Sequence, residues 1–368
     1  MKIFQVSKIR IHACASKSNR WSKFFLRSEI KVSLAIMKFG IFDHVDASGA
    51  ALADYYEERL KLVELYDSAG FHAYHIAEHH STPLGMAASP SVFLSAVAQR
   101  TKKLRFGPMI FALPLYHPLR LFEEICMLDH MSRGRLELGF GRGASPLELK
   151  IFGVEPSEAQ VFYDEAMEII MAGFRGERIN VKGKYFDCGD VPVIFDPNQK
   201  PHPPLWYGVH SIESAKKAAK QKLNIISLDP AGPTGQFVDA YVEAFDQSLP
   251  EPLMGIGRFV TVAPTDAEAL DIARRSYPVW HESFNFLFRD RGSSPRHQRA
   301  ATYDGLEKDG MGIAGSPETV TQFLSENLKT SKANYLVCQF AYGDQTSAEM
   351  QQTVELFSNE VMPELSAI

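Results

Sequence analysis

Gly70-Phe-His-Ala-Tyr-His-Ile-Ala-Glu-His-His80 is the stretch on which the fold turns. A polar-faced helix ends at Gly70, a short strand follows, and its C-terminal tip carries Glu78, His79 and His80. In a parallel α/β barrel that edge is where chemistry is done, because the loops beyond it line an open bowl. Imidazole changes charge near neutral pH, so a histidine pair there points to proton transfer or metal binding rather than to a solvated structural ion pair.

Outward from this segment, short apolar runs alternate with amphipathic stretches. Strands are expected at Lys38-Phe42, His72-Ala77, Leu104-Phe111, Arg135-Gly141, Leu205-Val209, Asn224-Leu228, Ile256-Val262 and Asn334-Phe340. Between them, residues 54–69 place Tyr56, Leu60 and Val63 on one helical face, and 119–132 form a helix closed by Ser132-Arg133-Gly134. Helices are also expected at 160–174, 211–221, 234–247 and 265–280, after Ser316-Pro317, and from the capping box Thr346-Ser-Ala-Glu349. Eight strands each followed by a helix define a (β/α)8 TIM barrel, with insertions after strands 4 and 7. Residues 181–203 are expected to be a hairpin or loop, and 283–312 a long irregular loop, either a lid or disordered.

With 368 residues, 45% of them apolar and 23% charged, the chain has the size and composition of a soluble enzyme with one large core. A net charge of -5 and a pI near 6.2 give no electrostatic reason to expect nucleic acid or anionic membrane as partner. Cys14, Cys126, Cys188 and Cys338 lie far apart without a Cys-x-x-Cys, which suggests neither disulfides nor a cysteine metal site and fits a reducing cytoplasm. No apolar run approaches the roughly 18 residues needed to span a bilayer.

Residues 1–36 stand apart: eight basic residues and one acid, Glu29, with charges interrupting every apolar stretch. They lack the apolar region of a secretory signal. A transit peptide is one reading; upstream sequence preceding a true start at Met37 is the other. In either case this extension is expected outside the core and disordered.

Three further segments bear on chemistry. Gly139-Phe-Gly141-Arg142-Gly143-Ala144-Ser145 follows a strand; its small residues let backbone approach a flat ligand, and Arg142 can reach a phosphate. It lacks the spacing of a dinucleotide fingerprint. His210-Ser211-Ile-Glu-Ser214 opens a helix, where free N–H groups make an anion site or where Ser211 is simply an N-cap. Gly315-Ser316 is the competing phosphate position. His75-Ile-Ala-Glu78-His79 matches H-x-x-E-H, a zinc-peptidase pattern, but that pattern requires a helix and this span reads as a strand; no metal site is expected.

Taken together these segments resemble the bacterial luciferase-like family of flavin-dependent monooxygenases over nearly all of residues 37–366. The matches run in order: Met37-Lys-Phe-Gly, Ala77-Glu-His-His80 with Gly85, Thr101-Lys-Lys-Leu104, Leu113-Pro114, His117-Pro118, Leu128-Asp129, Met131-Ser-Arg-Gly-Arg135 and Arg142-Gly143. The resemblance implies a barrel that binds FMN, as FMNH2 supplied by a separate reductase. Oxygen would then be activated as a C4a-peroxyflavin to oxygenate an aldehyde-like or other small organic substrate. It implies His79 as general acid/base, with Glu78 and His80 beside it. Arg142, Ser211 and Ser214 would hold the phosphate, Gly143 and His210 would bind the cofactor beside them, and Met109-Ile110 falls where relatives have a non-proline cis peptide under the flavin. A luciferase cysteine falls at Gly141, expected to leave more room, and a second phosphate arginine falls at Gln160. A homodimer is implied as well. A deazaflavin-dependent hydride-transfer enzyme on the same barrel and a non-catalytic flavin-binding protein remain alternatives.

Overall fold

The computed structural model describes residues 37–143, 145–295 and 298–367. The expectation for residues 1–36 therefore lies outside the described residues. Among the described residues there are twelve strands: β1 (Lys38–Asp43), β2 (Ala73–Ile76), β3 (Arg105–Pro108), β4 (Phe111–Ala112), β5 (Leu138–Gly141), β6 (Ile179–Lys182), β7 (Asp187–Val191), β8 (Leu205–Gly208), β9 (Asn224–Ser227), β10 (Met254–Val262), β11 (Gly312–Gly315) and β12 (Tyr335–Gln339).

Nine of them pair in the order β3-β2-β1-β12-β10-β9-β8-β5-β4, and every pairing on this path is parallel. β3 and β4 are two halves of one strand position, separated by the cis Met109-Ile110 peptide. β3 pairs with β2 while Phe106 bridges Leu136, and β4 pairs with β5 through Phe111 and Phe140. The path thus closes into a nearly complete parallel barrel of eight positions, as the strand–helix alternation predicts. β11, which the sequence reading missed, pairs with the C-terminal half of β10.

The barrel's lower interior is filled by large side chains facing small ones. Tyr335, Trp206 and His75 pack with ring centroids 5.2–6.0 Å apart, and His75 Nε2 lies 2.9 Å from the Tyr335 hydroxyl. Gly40 on the neighbouring β1 leaves the space that the Tyr335 ring occupies. His75, the first residue of the H-x-x-E-H match, is therefore a core residue on a strand.

Below this layer, Glu137 accepts from Arg105 Nε and Trp206 Nε1, both at 2.5 Å, with His72 Nε2 further off at 3.6 Å. These bonds tie β3, the entry to β5, and β8 together near the seam where the ring closes.

Of the two irregular regions, one holds a hairpin, which the sequence allowed, and the other is better ordered than expected. Residues 181–203 contain the second strand of an antiparallel hairpin, β6–β7, whose turn is held by Glu165 accepting from the N–H groups of Lys184, Tyr185 and Phe186. Residues 283–312 are not one loop: the helix entered at Asp266 runs through Pro278 to Asp290, and a further helix spans Tyr303–Lys308. That is a correction, and its cause is packing. Tyr277, Trp280 and Leu287 recur at helical spacing and are buried, and Phe284 stacks on Trp280 at 5.3 Å. Among the described residues no helix is long and apolar enough to cross a membrane.

Two buried groups set the acid limit of this fold. Burial pushes His75 down to about 4 from the ordinary 6.5, more than the Glu137 charge raises it. Burial alone would raise Glu137, but His72, His75 and Arg105 together hold it at about 2 instead of 4.5. Both folded values lie below the unfolded ones, so the unfolded chain takes up protons first as pH falls. Stability should begin to drop below pH 6.5 through His75 and continue from pH 4.5 toward 2 through Glu137, by about 3 kcal/mol for each group. Urea unfolding at stepped pH is expected to show this two-part acid limb, with the lower part flattened in Glu137→Gln.

Candidate active site

A cavity of about 340 Å³ opens over the C-terminal ends of the strands. Its wall takes Phe42 and His44 from the end of β1, Ala77–His79 beyond β2, and Met109 and Ile110 between β3 and β4. Gly143 and Glu148 follow β5, His210 follows β8, Asp229 follows β9, and Arg258 lies on β10. The helix Asp266–Asp290 adds Trp280, Phe284, Leu287 and Phe288. A larger hollow of about 550 Å³ lies at the opposite end, among Lys38, His72, Lys103, Arg105 and Arg135. Barrel chemistry belongs to the C-terminal face, so the smaller cavity is the candidate.

The tip beyond β2 splits its three polar residues. Glu78 accepts from the Ala112 N–H and the Tyr116 hydroxyl, each at 2.8 Å, and lies 2.8 Å from His80 Nε2. Burial first, then the Glu78 charge, push the Tyr116 hydroxyl far above its ordinary value, so it remains a donor. His80 packs edge-on against Phe152 at 4.7 Å and does not line the cavity.

His79 does line it. Its Nδ1 lies 3.1 Å from Glu148 Oε1, and its ring stacks on His44 with centroids 5.8 Å apart. Glu148 comes from the helix Pro146–Ile151, which Ser145 caps by accepting from the Glu148 N–H. With Nδ1 engaged by a carboxylate, Nε2 is the nitrogen left for a ligand.

His44, Trp280, Arg258 and Arg299 are cavity residues that the sequence reading missed. His44 Nδ1 accepts from Gln339 Nε2 at 3.1 Å and Trp280 Nε1 at 3.4 Å. Burial, and then the nearby charges of His79 and Arg299, hold its pKa well below 6.5, so the ring is neutral. The only local signal was its place directly after β1, a C-terminal strand end like that of β2.

The remaining sequence-chosen residues are divided. Met109-Ile110 is cis and lines the cavity floor. Gly143 (φ 87°) lines it too, whereas Arg142 is exposed beside it, near Tyr163. Ser211 and Ser214 form a reciprocal capping box on the helix Ile212–Lys220, and the Ser214 hydroxyl also accepts from the His210 N–H at 3.2 Å. His210 Nδ1 lies 3.1 Å from Asp229, and that bond, more than any other influence, lowers the Asp229 pKa. Gly141 faces away from open space: a Cβ there would meet Ile110 Cδ1 at 2.7 Å. The room expected at Gly141 is occupied by Ile110.

A flat ligand over Met109-Ile110 with an anionic end at the start of the helix Ile212–Lys220 fits this arrangement. The helix dipole favours negative charge there. A parallel barrel with these groups at its C-terminal mouth is the scaffold of a barrel oxidoreductase.

Residues 37–331 match the family model for luciferase-like monooxygenases, and the chain belongs to that family. It is 39% identical over 336 residues to the uncharacterized protein y4wF of Sinorhizobium fredii (strain NBRC 101917 / NGR234), covering 90% of this chain and 98% of that one. It is 27% identical over 314 residues to limonene 1,2-monooxygenase of Rhodococcus erythropolis, covering 83% and 80%. Among solved structures, the oxygenating constituent of 3,6-diketocamphane monooxygenase from Pseudomonas putida, a type II Baeyer-Villiger monooxygenase in complex with FMN, shares the fold. Its TM-score is 0.74 at 23% identity, covering 89% of this chain and 98% of that chain.

Gly141→Cys is expected to push Ile110 into the cavity. Overpacking of this kind costs about 1–3 kcal/mol, so the melting temperature should fall modestly, and thermal unfolding of the variant beside the parent checks it; an unchanged melting temperature would show that Ile110 yields without strain.

Proposed function

We propose that this protein is an FMNH2-dependent monooxygenase that oxygenates a small organic substrate, with His79 as the acid/base group. The observation that carries the reading is the meeting, in one cavity, of an imidazole held by Glu148, the cis Met109-Ile110 floor and His210, which directly precedes the capped helix start at Ser211. Family membership and the resemblance to limonene 1,2-monooxygenase support it.

Met109 and Ile110 would support the flavin ring, while Arg142, Gly143, His210, Ser211 and Ser214 would take its phosphate. Reduced FMN, when bound, supplies the electrons with which O2 is activated. Glu148 keeps the Nδ1 side of His79 fixed, and Nε2 exchanges a proton with the reacting oxygen. Phe284, Leu287 and Leu84 close apolar walls around that point and keep water out. Glu78 and His80 serve by holding the loop that presents His79. A separate flavin reductase would deliver the reduced cofactor, and the protein is read as a cytoplasmic homodimer.

His79→Ala should retain FMN binding while lowering oxygenated product per turnover by about 100-fold to 10,000-fold, with reduced flavin oxidised wastefully to peroxide. Ser211→Ala combined with Arg142→Ala should instead weaken FMN binding. Fluorescence titration with FMN and with a deazaflavin, followed by product and peroxide assays with a reductase supplied, measures all of these. Full activity of His79→Ala sinks the acid/base role, and tighter deazaflavin binding replaces monooxygenation with hydride transfer.

A further inference from the structure

Two guanidinium groups enter the cavity where the proposed chemistry gives them nothing to do. Arg258 stands on β10, only 2% exposed, and lines the cavity. Its Nε donates to Asn327 at 3.0 Å, and its Nη1 donates to the carbonyls of Gly257 (2.6 Å) and Asp229 (3.1 Å). Its Nη2 is buried and has no hydrogen-bond partner among the described residues. Arg299 reaches the same cavity from the segment after the helix Asp266–Asp290.

A buried cationic donor without an acceptor is costly, and a second guanidinium nearby adds repulsion. Burial first, then Arg299, push Arg258 down to about 9, against the opposing pull of Asp229. Burial likewise lowers Arg299. The carboxylate acting on both is Asp229, and it is already bonded by His210 and near the Ser227 hydroxyl. One carboxylate facing two guanidiniums leaves positive charge locally in excess around Arg258 and Arg299; the other lining carboxylates are engaged elsewhere, Glu78 by Ala112, Tyr116 and His80 and Glu148 by His79.

We propose that the oxidisable substrate is a small carboxylic acid with an apolar body, its carboxylate bound by Arg258 Nη2 and Arg299 and its hydrocarbon part lying against Phe284, Leu287 and Met311. The assignment rests on the monooxygenase reading for the word substrate, but not for the anion site itself. A carboxylate supplies two acceptors in the plane a guanidinium prefers, and it neutralises the surplus charge. A neutral alcohol or ketone of the same shape could accept from Nη2 but would leave the charge of the two guanidiniums unbalanced.

The test is calorimetric titration of the purified protein, with and without saturating FMN, using cyclohexanecarboxylate and its neutral counterpart cyclohexanecarboxamide. The carboxylate is expected to bind at least tenfold more tightly, and that preference to vanish in Arg258→Gln and in Arg299→Gln while FMN affinity is unchanged. Arg299→Gln leaves the Arg258 hydrogen bonds intact, so it carries the test if Arg258→Gln does not fold. Equal affinity for the two probes, no binding of either, or a preference that survives Arg299→Gln overturns the proposal. Full displacement of the carboxylate by millimolar inorganic phosphate, dependent on the same arginines, overturns it in favour of a phosphate subsite. Carboxylate preference without any FMN binding would leave this site standing and sink the oxygenase reading. FMN-dependent turnover without the preference does the reverse.

Discussion

The Glu78 carboxylate is the constraint from which the site follows. It gathers the Ala112 N–H, the Tyr116 hydroxyl and His80 Nε2, joining the tip of β2 to the chain just beyond the cis peptide. Charge-assisted bonds of this kind are the strong ones, and a buried carboxylate that lost them would bear the full desolvation penalty. Glu78 and His80 are occupied with each other and Glu78 also with Tyr116, whereas His79 between them has its ring at the cavity wall. The directions of His79 and of the Met109-Ile110 floor are thereby set relative to each other by one side chain. Glu148 then fixes the rotation of the His79 ring from the opposite side.

The same logic operates lower in the barrel. His75, Trp206 and Tyr335 fill the interior, and Glu137 stitches Arg105 to Trp206 beside the seam of the ring. Two of the four histidines between residues 72 and 80 are thus claimed by the core or its edge and two by the rim. Only their position along the strand distinguishes them, since the residue type is the same.

Most of the ring was legible in the chain. Each of the eight expected strands overlaps an observed one, because alternating apolar runs and capped helices leave few other arrangements. The Thr346 box, the Ser211 N-cap and the positive-φ Gly134 appear where their residue types place them. β11 escaped notice because Gly312-Ile-Ala-Gly315 has only one bulky side chain with which to announce a strand. The helix beyond Trp280 escaped because the Arg, Asp, Ser and Gly residues after Phe288 suggested a loop, although the Trp280, Phe284 and Leu287 spacing was present. At the site, His79 could be picked out from its clustered neighbours. His44, Arg258 and Arg299 could not, since each stands alone in sequence and meets the others only across the closed ring.

The helix Asp266–Asp290 has a consequence for how such an enzyme diversifies. It furnishes an aromatic and aliphatic wall of the cavity, yet it belongs to the excursion between β10 and β12 and supplies no strand to the cylinder. Side chains at 284, 287 and 288 can therefore change size without altering strand register or the aim of His79. Selectivity and reactivity are housed in separable parts of the chain, so descendants of one ancestor can exchange one substrate for another while retaining the same chemical engine.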